Sequence, residues 1–194
     1  MPSTRTTAGA VGALAALALL LGGAATAVAQ QPFSDPRSSI DLTTRIGLQF
    51  GVRLVVNLFL GGALVVAGPE YAADKVDEFR SEPGESVGWG LVVGIGVPIV
   101  LLVLAVTLIG LIVAIPGMIV LAAVGILGSA VVVVLVGSAV TKAERPGGTE
   151  VLLGALVLSL LTAIPIVGGF VNWVVGLPGI GLVGRDLYRS WAEG

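Results

Sequence analysis

Residues 86–141 constrain the fold most strongly, because this run contains no charged residue. One helix needs roughly 20 apolar residues to cross a bilayer, and the run is well over twice that length. A small soluble domain cannot bury such a segment on every side. We therefore predict two membrane-spanning helices joined by a tight apolar turn.

The composition supports a membrane protein and excludes several kinds of chemistry. Of the 194 residues, 56% are hydrophobic and 11% are charged, whereas soluble domains carry about 25% charged residues. The chain has no Cys and no His, which excludes thiolate nucleophiles and metal sites built on these residues. A net charge of −2 without a basic patch argues against a nucleic-acid partner. The Gly-rich, Lys-poor composition indicates a prokaryotic origin.

The N-terminal segment is typical of an exported protein. A single Arg precedes an apolar run that ends in Ala27-Val28-Ala29, the A-x-A pattern of a signal-peptidase site. We predict a signal peptide over 1–29, with an uncleaved first transmembrane helix as the alternative. Residues 30–42 are polar and contain two Pro residues, which indicates an exported leader.

The remainder, 43–191, is predicted to be an all-α, polytopic membrane domain. Its apolar segments are bounded by Gly, Pro and charged residues. We predict a break between the second and third spans at Thr107–Gly117, a kink at Pro98, and interruptions of the last segment at Asn172, Trp173 and Pro178. The five predicted spans are 43–68, 86–107, 117–141, 150–165 and 169–185. The last two are short, so a re-entrant pair is the alternative.

Residues 69–81 form the main hydrophilic stretch between spans. Tyr71, Ala72, Val76 and Phe79 recur at helical spacing, which predicts a short amphipathic helix on the membrane surface. Its acidic residues lie largely off that face, and anionic lipid headgroups would repel them. The helix therefore docks on the membrane domain itself or on a partner protein. The candidate partner-docking residues are Asp74, Asp77 and Glu78.

Polar residues inside predicted spans are the other candidates for function. Arg53 and Asn57 are four residues apart and share one helical face, and Asn172 lies in the last span. Such residues often line a transport path. Alternatively, Arg53 extends to the headgroups and has no further role.

The orientation follows from signal-peptide cleavage and the number of spans. The mature N-terminus lies outside, and five crossings place the C-terminus in the cytoplasm. Most Lys and Arg residues of the loops then lie on the cytoplasmic side, in agreement with the positive-inside rule.

We find no convincing catalytic constellation in the sequence. It contains no phosphate-binding loop, and Glu150, at the first position of the fourth predicted span, is the only Asp or Glu within the predicted spans. We therefore expect a protein that is not an enzyme and uses no cofactor.

The order of segments resembles a known type of membrane domain. A Pro-led amphipathic helix is followed by Ser86-Val87-Gly88-Trp89-Gly90, by Thr107-Leu108-Ile109-Gly110, and late in the chain by Ile164-Pro165-Ile166-Val167-Gly168-Gly169. This is similar to the membrane domain of prokaryotic bactofilin-like, polymer-forming proteins, here without their β-helical domain. The resemblance covers about 53–188.

Two functions are consistent with these observations. The first is a non-enzymatic membrane anchor or scaffold for an envelope or cytoskeletal partner that binds at the cytoplasmic face. The second is a small transporter or channel, built as a homo-oligomer around the Gly-rich helices. In both, the lipid bilayer is the main surrounding partner.

Overall fold

The computed structural model describes residues 41–163 and 165–192, and these residues form an all-α fold. The predicted signal peptide and almost all of the predicted leader lie outside the described residues. Three stretches are long and apolar enough to cross a bilayer: Ile46–Ala67, Pro83–Ala105 and Leu108–Thr141.

The described chain contains seven α-helices and one π-helical turn. The bounds are α1 Leu42–Ala67, α2 Pro69–Ser81, α3 Pro83–Leu91, the π-helical turn Val92–Gly96, α4 Val97–Ala105, α5 Leu108–Thr141, α6 Gly148–Ala163 and α7 Pro165–Ala192. The stretch from α3 through the π turn to α4 is continuous.

Helix α5 is the centre of the bundle. It packs against α1, α4, α6 and α7, and also against α2. Its C-terminal half is the core, where Val131, Val133 and Val134 are almost fully buried. Its N-terminal half pairs with α4 and leaves apolar side chains such as Ile112 exposed. The two halves of one apolar helix therefore have different surroundings.

Glycine allows the helices of the core to approach at backbone distance. A Cβ added to Gly137 would lie 1.8 Å from the Glu150 carbonyl oxygen, and one added to Gly154 would lie 1.9 Å from the Val133 oxygen. Only residues without a side chain permit such crossings, as at small-residue interfaces in membrane proteins. On α3, Gly90 likewise meets the α7 backbone, at Leu177.

The turn between the second and third predicted spans is shorter and earlier than predicted. It comprises Val106 and Thr107 alone, so the prediction that the break extends to Gly117 is wrong. The Thr107 hydroxyl oxygen accepts a hydrogen bond from the Gly110 N–H at 2.9 Å and caps α5. Pro116 lies inside α5, as prolines can in long apolar helices whose neighbours satisfy the freed backbone groups.

Three other proline predictions have different outcomes. Pro98 does not end its helix, as predicted, and the π-helical turn directly before it widens the backbone where a Pro ring would clash with the preceding turn. The predicted interruption of the last segment is wrong, because α7 continues through Asn172, Trp173 and Pro178. The predicted break near Pro165 is present, since α6 ends at Ala163 and α7 begins at Pro165.

Candidate functional site

Helix α2 lies on one end of the bundle and carries the densest polar contacts of the described chain. Pro69 occupies its first turn, where a missing N–H costs nothing. Ala72, Lys75 and Val76 form its buried face, which packs towards α5 and α7. Residues 69–81 are helical, as the sequence predicts, and the helix docks on the bundle itself; its location on the membrane surface stays a prediction.

Lys75 is a buried cation paired with two carboxylates. Its Nζ lies 2.5 Å from Glu78 Oε2 and 2.7 Å from Asp186 Oδ1, and its side chain is 6% exposed. The Tyr71 hydroxyl donates to Asp186 Oδ2 at 3.0 Å. Burial, followed by the Asp186 charge, raises the pKa of Tyr71 well above its ordinary value. Tyr71 therefore remains a neutral donor, and α2 is tied to α7.

Arg185 of α7 is the second buried cation, and it contacts three carboxylates. Its Nη1 lies 3.2 Å from Glu78 Oε1, 3.1 Å from Glu82 Oε2 and 3.4 Å from Glu85 Oε2, with 8% of the side chain exposed. These acids belong to α2, to the residue between α2 and α3, and to the first turn of α3. Arg185 therefore fastens the α2–α3 corner to α7. Residues Lys75, Glu78, Glu82, Glu85, Arg185 and Asp186 are called the ion cluster below.

Arg80 supports the same end of the bundle from the other side. Its Nη2 donates to the carbonyl oxygens of Ser138 at 3.3 Å and Ala143 at 3.0 Å. These carbonyls belong to the last turn of α5 and to the residues just after it, where helix carbonyls lack helical donors. A cation at a helix C-terminus is electrostatically favourable. Helix α2 is thus connected to α5 as well as to α7.

The three predicted docking residues are not in the same environment. Asp74 and Asp77 are exposed on the outer face of α2. Glu78 points inward, and its side chain is 18% exposed within the ion cluster. The outer face therefore carries Asp74 and Asp77 together with exposed Glu70, and Glu78 holds the helix in place.

The intramembrane polar candidates are also separated. The Asn57 Nδ2 donates to Ser159 Oγ at 3.1 Å, which joins α1 to α6. Arg53 is half-buried one turn earlier on α1, whereas Asn172 is exposed on α7. Helix α7 packs mainly on α3, α5 and α6. The structure gives Asn57 a helix-packing role and does not gather the three residues at one site.

Replacing Ser159 with alanine removes the partner of Asn57 and is expected to destabilise the α1–α6 contact modestly. Hydrogen bonds between helices in a membrane contribute about 0.6 kcal/mol on average. The measurement is unfolding in detergent, with Ser129→Ala as the control, because the Ser129 hydroxyl bonds only within its own helix. Equal effects of the two changes would contradict this role of Asn57.

Acid is expected to loosen the α2–α3 corner. A hydrogen bond with Glu85, and then contact with Arg185, holds the pKa of Glu82 below its ordinary value of 4.5. A carboxyl group whose pKa is lower in the folded state than in the unfolded state stabilises the folded protein at pH values above the unfolded pKa. This stabilisation is lost as the pH falls through 4.5 and below. Melting temperature measured against pH should fall in that range, and Glu82→Gln should flatten the change. An unchanged profile in this variant would contradict the assignment.

Sequence reasoning missed both buried cations. Lys75 could have been found, since it shares the apolar face of α2 with Ala72 and Val76 and so needed a buried carboxylate. The position of Arg185 depends on how α7 crosses α3, which no local pattern specifies. Within residues 41–163 and 165–192, no group of three or more potential ligands is placed to hold a metal ion.

The described residues form an all-α architecture with three stretches long and apolar enough to span a membrane and an ion cluster at one end. A family model described as a domain of unknown function, DUF8173, matches residues 1–192, and the chain belongs to that family. No curated protein and no solved structure matches the chain.

Proposed function

We propose that the chain is an integral membrane protein in which α1, the α3–α4 stretch and α5 cross the bilayer. Helices α6 and α7 correspond to the fourth and fifth spans that the sequence predicts. Residues 1–29 would be removed as a signal peptide, which leaves the mature N-terminus outside. The C-terminus lies in the cytoplasm whether the chain crosses the bilayer three times or five times. The basic residues at that end support this orientation: Lys75, Arg80, Lys142, Arg145, Arg185 and Arg189.

Its proposed role is a non-enzymatic membrane anchor or scaffold for an envelope or cytoskeletal protein. The observation that carries this proposal is the contrast between the two faces of α2. The inner face is fixed to the bundle by Lys75 and Val76, and the outer face presents Asp74 and Asp77 to solvent. A rigid, exposed acidic helix at the membrane surface supports docking of a partner.

The charge of that outer face favours a basic protein surface as the partner. Glu70, Asp74 and Asp77 are spaced by four and three residues, so their carboxylates follow one stripe of the helix. Anionic headgroups repel such a stripe, so the lipid surface is a poor ligand for it. Complementary charge across an interface increases the association rate and selects the partner.

The resemblance to bactofilin-associated membrane domains supports a polymer-forming or cytoskeletal partner. We propose this relation on the segment order alone. The alternative function, an oligomeric transporter or channel, has less support, because Asn57 is used in helix packing and Asn172 lies apart from it.

The double charge reversal Asp74→Lys with Asp77→Lys tests the anchor role. We expect loss of the proteins that crosslink to the chain in native membranes, as identified by mass spectrometry, with no change in membrane insertion. Glu144→Lys is the matched control, since Glu144 is an exposed acid in the loop that follows α5. Unchanged recovery in the double variant would refute the docking face. Recovery of self-crosslinked oligomers alone would favour a channel, with flux in liposomes as the next measurement.

A further inference from the structure

The turn between α4 and α5 extends far from the rest of the bundle, and apart from Thr107 its residues and those that follow it are apolar. Val106, Leu108 and Ile109 are each more than 80% exposed. Such a surface is stable in hydrocarbon and unstable in water. If the chain is inserted as proposed above, this turn lies at the far boundary of the bilayer, opposite the ion cluster.

Backbone contacts define how far α6 extends along α5. Glu150 of α6 lies beside Gly137 of α5, and Gly154 lies beside Val133, so the two helices are antiparallel. After Gly154, α6 continues for only nine residues to its end, which is about 14 Å. Measured from Val133 towards the N-terminus of α5, the same distance ends near Val124. Helix α5 begins at Leu108, which is 16 residues before Val124. The α4–α5 turn therefore lies about 24 Å beyond the end of α6.

Helix α7 does not extend from the end of α6 towards the α4–α5 turn, because it runs mainly across α5. Gly168 lies beside the Thr162 carbonyl of α6, and Gly179 lies beside Gly128 of α5. Gly179 follows Gly168 by eleven residues, which is about 17 Å of helix. Projected onto the axis of α5, however, Thr162 and Gly128 are only about 5 Å apart. After this crossing α7 leads to Arg185 in the ion cluster.

We propose that α6 and α7 form a re-entrant pair, which enters the bilayer from the ion-cluster end and returns to it. The hydrocarbon core is about 30 Å thick. The α4–α5 turn and the α6–α7 break therefore cannot both reach the far boundary. Of the five spans that the sequence predicts, the last two then do not cross, and the orientation of the C-terminus is unchanged.

A chain break within hydrocarbon needs donors for the freed backbone carbonyls, and the level of Arg53 on α1 makes its guanidinium the candidate donor. Pro165 has no N–H, so it cannot bond the Leu161 carbonyl. Asn57 contacts Ser159, and Arg53 precedes Asn57 by one turn, which places it level with the last turn of the antiparallel α6. A guanidinium carries five donors and is favoured at a helix C-terminus.

Single cysteines test the proposal directly, because the chain has none of its own. Val106→Cys reports the α4–α5 turn, Glu144→Cys reports the ion-cluster end, and Phe170→Cys reports the start of α7; all three native residues are exposed. The full-length variants are labelled with a membrane-impermeant maleimide in right-side-out and inside-out vesicles. Labelling in denaturing detergent confirms that each thiol is available. Asn172→Cys is a second reporter of accessibility at the start of α7.

The expected result is labelling of residues 106 and 144 from opposite sides, with residues 170 and 172 unlabelled from the side of residue 106. Labelling of residue 170 or 172 from that side would overturn the proposed re-entrant pair. It would not contradict the proposed insertion of the other three spans. If residues 106 and 144 are not labelled from opposite sides, the three-span insertion is itself wrong, and the inference fails with it.

Discussion

Replacing Arg185 with leucine is expected to destabilise the protein by about 3 kcal/mol, the low end of the cost of breaking a buried ion pair, because Glu78 is largely buried whereas Glu82 and Glu85 are about half exposed. Arg185 contacts Glu78, Glu82 and Glu85 with 8% of its side chain exposed. Without the guanidinium, three carboxylates lie close together with less compensating charge. The measurement is chemical or thermal unfolding of the protein in detergent micelles.

The control for this change is Arg189→Leu, one turn further along α7. Arg189 is exposed, and exposed charges contribute about 0–1 kcal/mol. We expect the α2–α3 corner to become protease-sensitive in the Arg185 variant and to stay resistant in the Arg189 variant. Similar, small effects of the two changes would show that the ion cluster does not stabilise the fold.

Replacing Gly137 with alanine is expected to destabilise the bundle, although alanine is the better helix former. The new Cβ would lie 1.8 Å from the Glu150 carbonyl oxygen, which is backbone and cannot rotate away. Helices α5 and α6 must separate, and overpacking of this kind costs about 1–3 kcal/mol.

Gly125→Ala in the same helix is the matched control, since a Cβ there meets nothing within 4 Å. Alanine at an open helical position stabilises by about 1 kcal/mol relative to glycine. Unfolding midpoints of the two variants should therefore move in opposite directions. A stabilised Gly137 variant would contradict the close crossing of α5 and α6.

Sequence patterns were sufficient for the helices that depend on local chemistry. The run 86–141 predicted a pair of long apolar helices, and Pro69 with the spacing of Ala72, Val76 and Phe79 predicted α2. These features depend on hydrophobic periodicity and on the fixed geometry of proline, both of which can be read within a few residues.

Features that depend on tertiary packing could not be read in this way. Proline and glycine at residues 116–117 have the composition of a turn, but this segment is helical and Gly117 packs on Leu101 of α4. The helix break is set instead by Thr107, a weaker signal in the sequence. Arg185 and Asp186 meet α2 only because α7 crosses α3 near Gly90. Pairs separated by more than 100 residues have no local signature.

Hydrogen exchange of the backbone amides of α2, in the protein reconstituted into nanodiscs, tests the central claim most directly. That claim is that the ion cluster holds α2 as a fixed helix on the bundle. Amides at residues 73–81 should exchange slowly, and Arg185→Leu should accelerate them while leaving residues 130–137 of α5 protected. Exchange of α2 at the rate of an unstructured peptide in the unmodified protein would contradict both the attachment and the docking surface built on it.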